Sequence, residues 1–213
     1  MPGPLASRLA EVVAGVRFVN VYGMSEATSM THYLPWRPGP RDLTAIGIPV
    51  PGVRDRLAPG GELQVDTPTA MAGYWNNPVA TGEKFDGPWL RTGDLASLAA
   101  DGLLRIVGRV DELINRGGEK IPPVEVESAI VAHPDVVEAS VVGLPDRDLG
   151  EVVGAAVVAR AGSVLDAAQL GRFLADRIAD YKSPRKVRFL PALPRNPNGK
   201  VERDQVRRLL NEE

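Results

Sequence analysis

The sequence predicts an α+β protein in two parts, and three observations carry this. In the first half, short alternating segments separated by Gly and Pro turns read as a small antiparallel sheet. In the second half, β-branched strands interleave with apolar stripes at helical spacing, a β-α-β-β-α-β run of about 100 residues, an ordinary size for one domain. Between them lies Gly108-Arg109-Val110-Asp111-Glu112-Leu113-Ile114-Asn115-Arg116-Gly117-Gly118-Glu119-Lys120, where the hydrophobic period changes. Its arginines suit oxygen anions, and its double glycine lets backbone N–H groups approach them. A hinge with a binding surface and a Gly-rich connecting loop with solvated charges are both compatible with it.

In chain order, Leu5, Leu9, Val12 and Val13 fall at helical spacing, and Gly15 is a stop. Val16 to Val21 reads as a short buried strand, followed by Tyr22-Gly23-Met24-Ser25-Glu26-Ala27-Thr28. A strand leading into a glycine turn with hydroxyls and a carboxylate is a common ligand-binding arrangement. An ordinary turn with Ser25 as helix cap is the simpler alternative. Residues 35–52 are rich in Pro and Gly and predict a long loop. Val53 to Leu57 and Glu62 to Val65 alternate around Pro59-Gly60-Gly61, as strands about a turn. Gly73-Tyr74-Trp75-Asn76-Asn77-Pro78 reads as an aromatic turn packed under a loop. Asp101-Gly102 marks a hairpin between Leu95–Leu98 and Leu103–Val107. Just before it, Asp94 is either a strand cap or a carboxylate able to accept from two ribose hydroxyls.

Beyond the hinge, Pro122 and Pro123 suit the first turn of a helix that ends at His133-Pro134. Val136 to Val142 and Glu151 to Val158 read as strands, with Leu144-Pro145-Asp146 as a turn. Leu170, Phe173, Leu174 and Ile178 form a helix stripe, Val187 to Leu190 a third strand, and Val206, Leu209 and Leu210 a last short helix. Asn198-Gly199 makes a tight turn that projects Lys200 from its tip. His133 reads as a helix C-terminal cap, and His32 has no partner nearby in the sequence.

Composition excludes several classes. A net charge of −2 gives no basic excess for a general nucleic-acid or membrane-surface binder. There is no cysteine, which removes disulfides and thiolate chemistry and is compatible with a reducing cytoplasm. Two histidines are too few for a histidine-built metal site. No apolar run approaches the ~18 residues of a membrane span.

The ordered series Tyr22-Gly23-Met24-Ser25-Glu26, Gly61-Glu62-Leu63, Gly73-Tyr74-Trp75, Arg91-Thr92-Gly93-Asp94, Gly108-Arg109-Val110-Asp111-Glu112, Gly117-Gly118-Glu119-Lys120, Tyr181-Lys182-Ser183-Pro184 and Asn198-Gly199-Lys200 resembles the motifs of the adenylate-forming superfamily. The wording of Ile114 to Lys120 is most similar to its acyl-CoA synthetase and aryl-acid activating branches. The resemblance implies a two-step ATP-dependent acid–thiol ligase. A carboxylic acid and Mg·ATP give an acyl adenylate, and CoA or a carrier-protein thiol then takes the acyl group. Tyr22 would stack on adenine, with Gly23 beside it. Ser25 would touch phosphate and Glu26 would hold Mg²⁺. Asp94 would bind ribose with Arg109 nearby, and Asp111 would be the hinge. Gly117, Gly118 and Lys120 would line the CoA side, and Lys200 would stabilise charge during adenylation.

On this resemblance residues 1–109 are a C-terminal remnant of the large AMP-binding domain, including a small antiparallel β-barrel. Residues 110–213 are the mobile C-terminal domain. No Ser/Thr/Gly-rich phosphate loop ending in Pro-Lys occurs, and Met1 resembles an internal methionine of the family. The expectation is therefore a truncated ligase, inactive without an N-terminal region or a separate N-terminal half, acting in the cytoplasm, with fatty acid metabolism as one setting. The alternatives are a non-catalytic nucleotide-, CoA- or carrier-protein-binding module and an adenylation domain that loads a carrier protein.

Overall fold

A computed structural model describes residues 19–35 and 45–212. The expected helix at Leu5 to Val13 and the start of the Val16 to Val21 strand lie outside the described residues. The chain divides into two compact units, Met1–Val110 and Asp111–Glu213. No helix among the described residues is long and apolar enough to cross a membrane.

The first unit is built on one antiparallel sheet. Its strands are β1 (Val21–Met24), β2 (Ser29–Tyr33), β3 (Ala45–Pro49), β4 (Arg54–Leu57), β5 (Glu62–Asp66), β6 (Phe85–Asp86), β7 (Trp89–Leu98) and β8 (Leu104–Arg109). They run in the order β1-β2-β3-β8-β7-β5-β4, with β6 added on β7. This path is open, since no ladder among the described residues joins β1 to β4. It nevertheless curls: His32 in β2 brings its Nε2 to 3.4 Å from Asp55 Oδ2 in β4, near the other end of the path. Leu63, Val65 and Leu90 are fully buried with Ala27 and Ile46 in its core, each large side chain contributing roughly 1.5–3 kcal/mol by leaving water.

Four elements of this unit differ from the sequence expectation. β1 starts at Val21 and runs through the Tyr22-Gly23 turn motif. β2 and β3 occupy stretches without an apolar period. β2 reads Ser-Met-Thr-His-Tyr with Thr31 and His32 buried, and β3 lies in the expected 35–52 loop. The expected turn at Gly73 to Pro78 leads into a helix that was not expected, α1 (Pro78–Lys84), because Asn77 caps it by accepting from Ala80 N at 3.1 Å and Pro78 suits the first turn.

The second unit pairs β9 (Ile114–Arg116), β10 (Glu119–Ile121), β11 (Val136–Asp146), β12 (Gly150–Ala159) and β13 (Lys186–Phe189) in the order β10-β9-β12-β11, with β13 parallel to β12. Helices α2 (Pro123–Val131) and α3 (Ala167–Ala175) cover one face through Val126, Ile130, Leu170 and Leu174. Helix α4 (Arg203–Asn211) covers the other through Val206 and Leu210. Burial on both faces explains why Val153 to Val158 is continuously apolar. Asp166 and Gln169 form a reciprocal capping box at the start of α3. The Gly117-Gly118 pair, read as a loop, closes the β9–β10 hairpin. Both glycines have positive φ, +60° and +93°, as a type I′ turn requires. His133 lies just beyond α2. Its Nδ1 accepts from Asp135 N at 3.1 Å and its ring meets Phe173 edge-on at 4.7 Å.

Candidate functional site

In the first unit the sheet brings Tyr22, Asp94 and Arg109 together. Asp94 and Arg109 are cross-strand partners in β7 and β8. Arg109 Nη1 donates to Asp94 Oδ1 at 2.9 Å. Tyr22 Oη donates to Asp94 Oδ2 at 2.5 Å. Burial, and then this bond to Asp94, pushes the Tyr22 hydroxyl above the usual tyrosine range, so it stays a donor. Thr92 Oγ1 accepts from Asp94 N at 3.0 Å and donates to Leu63 O at 2.7 Å, which fixes the backbone beneath the carboxylate. Glu62, sited in β5, accepts from Gly93 N at 3.2 Å and from Arg91 Nε at 3.1 Å.

Gly23 sits at the bulge that follows Tyr22. A Cβ there would lie 1.8 Å from Ser29 O, so only glycine lets β1 and β2 approach this closely. Tyr22, Gly23, Ser25 and Met30 line an open groove of about 500 Å³. Ser25 starts a 3-10 turn, Ser25–Ala27, and is exposed; Met24 holds the cap position, without a side-chain capping bond.

Glu26 follows in that turn, and its partner is Tyr74, a residue of the aromatic turn expected only to pack under a loop. Tyr74 Oη donates to Glu26 Oε1 at 2.6 Å, and Lys84 Nζ lies 3.9 Å from the same oxygen. The Tyr74 bond holds the Glu26 carboxyl below the usual carboxylate range, so it is ionised at neutral pH. Among the described residues no three metal-ligating side chains cluster. One ionised carboxylate still fits Mg²⁺, which is commonly held by one or two carboxylates together with substrate phosphates.

In the second unit Asp111 is exposed in the 3-10 turn Val110–Glu112. Gly117 and Gly118 form the tip of the β9–β10 hairpin, where Gly117 N donates to Leu149 O at 2.8 Å. Lys120 stands exposed on β10 opposite Asn115. Lys200 is exposed at the Asn198-Gly199 turn, whose backbone is tied by Asn196. Asn196 Oδ1 accepts from Lys200 N at 3.0 Å, and Asn196 N donates to Lys200 O at 2.9 Å. Arg203 carries no motif in the sequence that marks it. Its Nη1 donates to Glu127 Oε1 at 2.9 Å and to Val141 O at 2.7 Å, and its Nε lies 3.3 Å from Glu112 Oε1. It joins the start of α4 to α2 and β11. Among the expected residues, Tyr22, Asp94 and Arg109 form one linked cluster, Glu26 is a separate carboxylate, and Asp111, the Gly117-Gly118 pair and Lys200 lie at or beside three different turns.

Residues 125–200 match the family model described as the AMP-binding enzyme C-terminal domain. That segment belongs to the C-terminal domain family of AMP-binding enzymes, and the relatives that the chain matches include CoA ligases. The chain is 40% identical over 212 residues to a sulfoacetate–CoA ligase of Cupriavidus necator, covering 94% of this chain and 41% of that protein. It is 36% identical to the fatty acid–[acyl-carrier-protein] ligase ScoC of Streptomyces coeruleorubidus, covering 96% of this chain and 42% of that one. Among solved structures, ATP-bound MatB from Rhodopseudomonas palustris superposes with a TM-score of 0.85 at 35% identity, over 96% of this chain and 43% of that chain. The chain therefore spans about two fifths of the length of the relatives it matches.

Proposed function

We propose that this chain is the C-terminal portion of a cytoplasmic ATP-dependent acid–thiol ligase that makes an acyl adenylate and then an acyl thioester. The observation that carries the reading is the Tyr22–Asp94–Arg109 cluster. It offers an aromatic face beside a carboxylate whose two oxygens are already oriented by donors. Such a carboxylate can accept from the ribose hydroxyls of ATP while the Tyr22 ring lies against adenine. Ser25, exposed at the groove, is placed to donate to phosphate. Glu26 would hold Mg²⁺, which when bound offsets phosphate charge.

In the first step an oxygen of the acid's carboxylate attacks the α-phosphorus of ATP, and pyrophosphate leaves. Such reactions depend on positioning and on charge placed where it develops. The Lys200 ammonium is assigned to that charge. In the second step the thiol sulfur attacks the acyl carbon and AMP leaves. Asp111 is assigned as the pivot between steps, and the hairpin bearing Gly117, Gly118 and Lys120 as the thiol-facing surface. Catalysis is assigned to this chain joined to the remaining three fifths of a ligase of its relatives' length.

Calorimetry on the purified chain tests the reading. It should bind AMP, and Asp94→Ala should weaken that binding about a hundredfold, the loss expected when two hydrogen bonds to a charged group go. A chain that binds no adenine nucleotide overturns it. A second reading differs only in the acceptor: the similarity to a ligase named for an acyl carrier protein favours a carrier-borne thiol. Binding of CoA by the chain, without binding of a carrier protein, would count against it.

A further inference from the structure

His32 is fully buried beside the proposed nucleotide groups, yet no step above uses it. Its cross-strand partner in β1 is Tyr22, and partners in an antiparallel ladder project to the same face. The two rings meet edge to face, with centroids 5.8 Å apart and planes at 65°. Thr31 Oγ1 lies 3.0 Å from His32 Nδ1 and 3.4 Å from the Tyr22 carbonyl oxygen. On the other side of the ring, Nε2 faces Asp55 Oδ2 at 3.4 Å, from a strand five places away in the sheet order. Burial lowers the proton affinity of His32. A neutral ring carries one N–H, so it donates to one of Asp55 and Thr31, and the carboxylate of Asp55, which can only accept, favours Nε2 as the donor.

Tyr22 needs such backing. It stands on the end strand β1, immediately before a bulge, with the open groove beside it. Its hydroxyl holds one oxygen of Asp94, so a swing of the ring would carry that bond away. We propose that His32 is a positioning residue: clamped by Thr31 and Asp55, its ring edge fixes the Tyr22 ring and, through the Tyr22 hydroxyl, the Asp94 carboxylate. The same contact ties β2 to β4, so the curl of the sheet and the order of the site share one side chain. The proposal rests on the reading of Tyr22 and Asp94 as nucleotide-binding groups.

The test compares the chain with His32→Gln, which fills much of the space and keeps a donor toward Asp55 but has no ring edge, and with His32→Phe, which keeps the ring edge. AMP affinity is read by calorimetry, and the Tyr22 ring by proton NMR, its signals assigned with Tyr22→Phe. His32→Gln should weaken AMP binding about fivefold, the size of one aromatic edge contact, and His32→Phe should restore most of it. The Tyr22 signals should shift in His32→Gln and stay near those of the parent in His32→Phe. A role in stability alone would lower the melting point of either variant without this split. The proposal is overturned if His32→Gln binds AMP as tightly as the parent, or if both variants lose it equally. If the parent binds no AMP, the nucleotide reading falls, and unchanged Tyr22 signals in His32→Gln would sink the positioning role on its own.

Discussion

The two units present their candidate site side chains in opposite ways. In the first unit the side chains themselves are held. Both Asp94 oxygens have donors, and Glu26 is engaged by Tyr74 and Lys84. In the second, the backbone is held around two lysines that extend into solvent. Lys120 on β10, beside the Gly117-Gly118 turn, and Lys200 at the Asn198-Gly199 turn are exposed, with no side-chain partner among the described residues, and the peptide groups of those turns are tied by Leu149, Asn196 and Arg195. The contrast has a physical logic. A site that receives a stationary ligand gains from groups that lose no freedom on binding. A lysine that must bring charge to a reacting centre keeps its rotamer entropy until it arrives, a reserve of about 1.5–2 kcal/mol.

The largest effect that would break or sharpen this comparison is expected at Lys200. In a ligase containing this chain, Lys200→Ala should slow acyl-adenylate formation by about 10²–10³, as when one stabilising donor is lost from a reacting centre. It should leave thioester formation from preformed acyl adenylate unchanged. Stability should move by less than about 0.5 kcal/mol, because the side chain is solvated. Pyrophosphate release and thioester formation, assayed separately, decide this. Equal loss in both would show that Lys200 is not the delivered charge.

A smaller effect separates the two kinds of glycine. Gly23→Ala would drive a methyl group to 1.8 Å from Ser29 O in a held ladder, and should cost about 1–3 kcal/mol or more as an overpacked contact. Gly199→Ala meets nothing within 4 Å and bears only the strain of φ +78°, roughly 1–2 kcal/mol. Urea denaturation of each variant measures the pair. A Gly199 variant destabilised more than the Gly23 variant would reverse the assignment of rigid and free regions.

The second unit was the more legible of the two in the sequence. Its strands are β-branched and its helices carry clear stripes, because a sheet covered on both faces writes burial directly into residue type. The Asp101-Gly102 hairpin and the Lys200 turn were equally plain, since turn chemistry is local. What stayed hidden depends on distant partners. β2 has no apolar alternation because its buried residues are Thr31 and His32, satisfied by each other and by Asp55 from β4. Tyr74 and Glu26 stand 48 residues apart, and nothing in either segment announces the other. The motif residues Tyr22, Asp94 and Arg109 could be named from resemblance. That Tyr22 donates to Asp94 could not, because it follows from how β1 and β7 are placed within the sheet.

The smallest effect concerns that hidden Tyr74–Glu26 pair and is decided by its pH dependence. The Tyr74 bond holds Glu26 below its ordinary value of 4.5. A carboxyl more acidic in the folded than in the unfolded state stabilises the fold fully above its unfolded pKa, and this contribution is lost as pH falls through the folded value. Tyr74→Phe removes the donor and should cost less than about 1 kcal/mol near pH 7, because the pair is solvent-facing. The gap between parent and variant should shrink as pH falls through the lowered Glu26 value and the carboxylate is protonated. Denaturation midpoints of both proteins, taken near neutral pH and again near pH 3, measure it. A gap that persists unchanged in acid would mean that Tyr74 acts through ring packing, and that the Glu26 carboxylate is not held by a hydroxyl donor as Asp94 is.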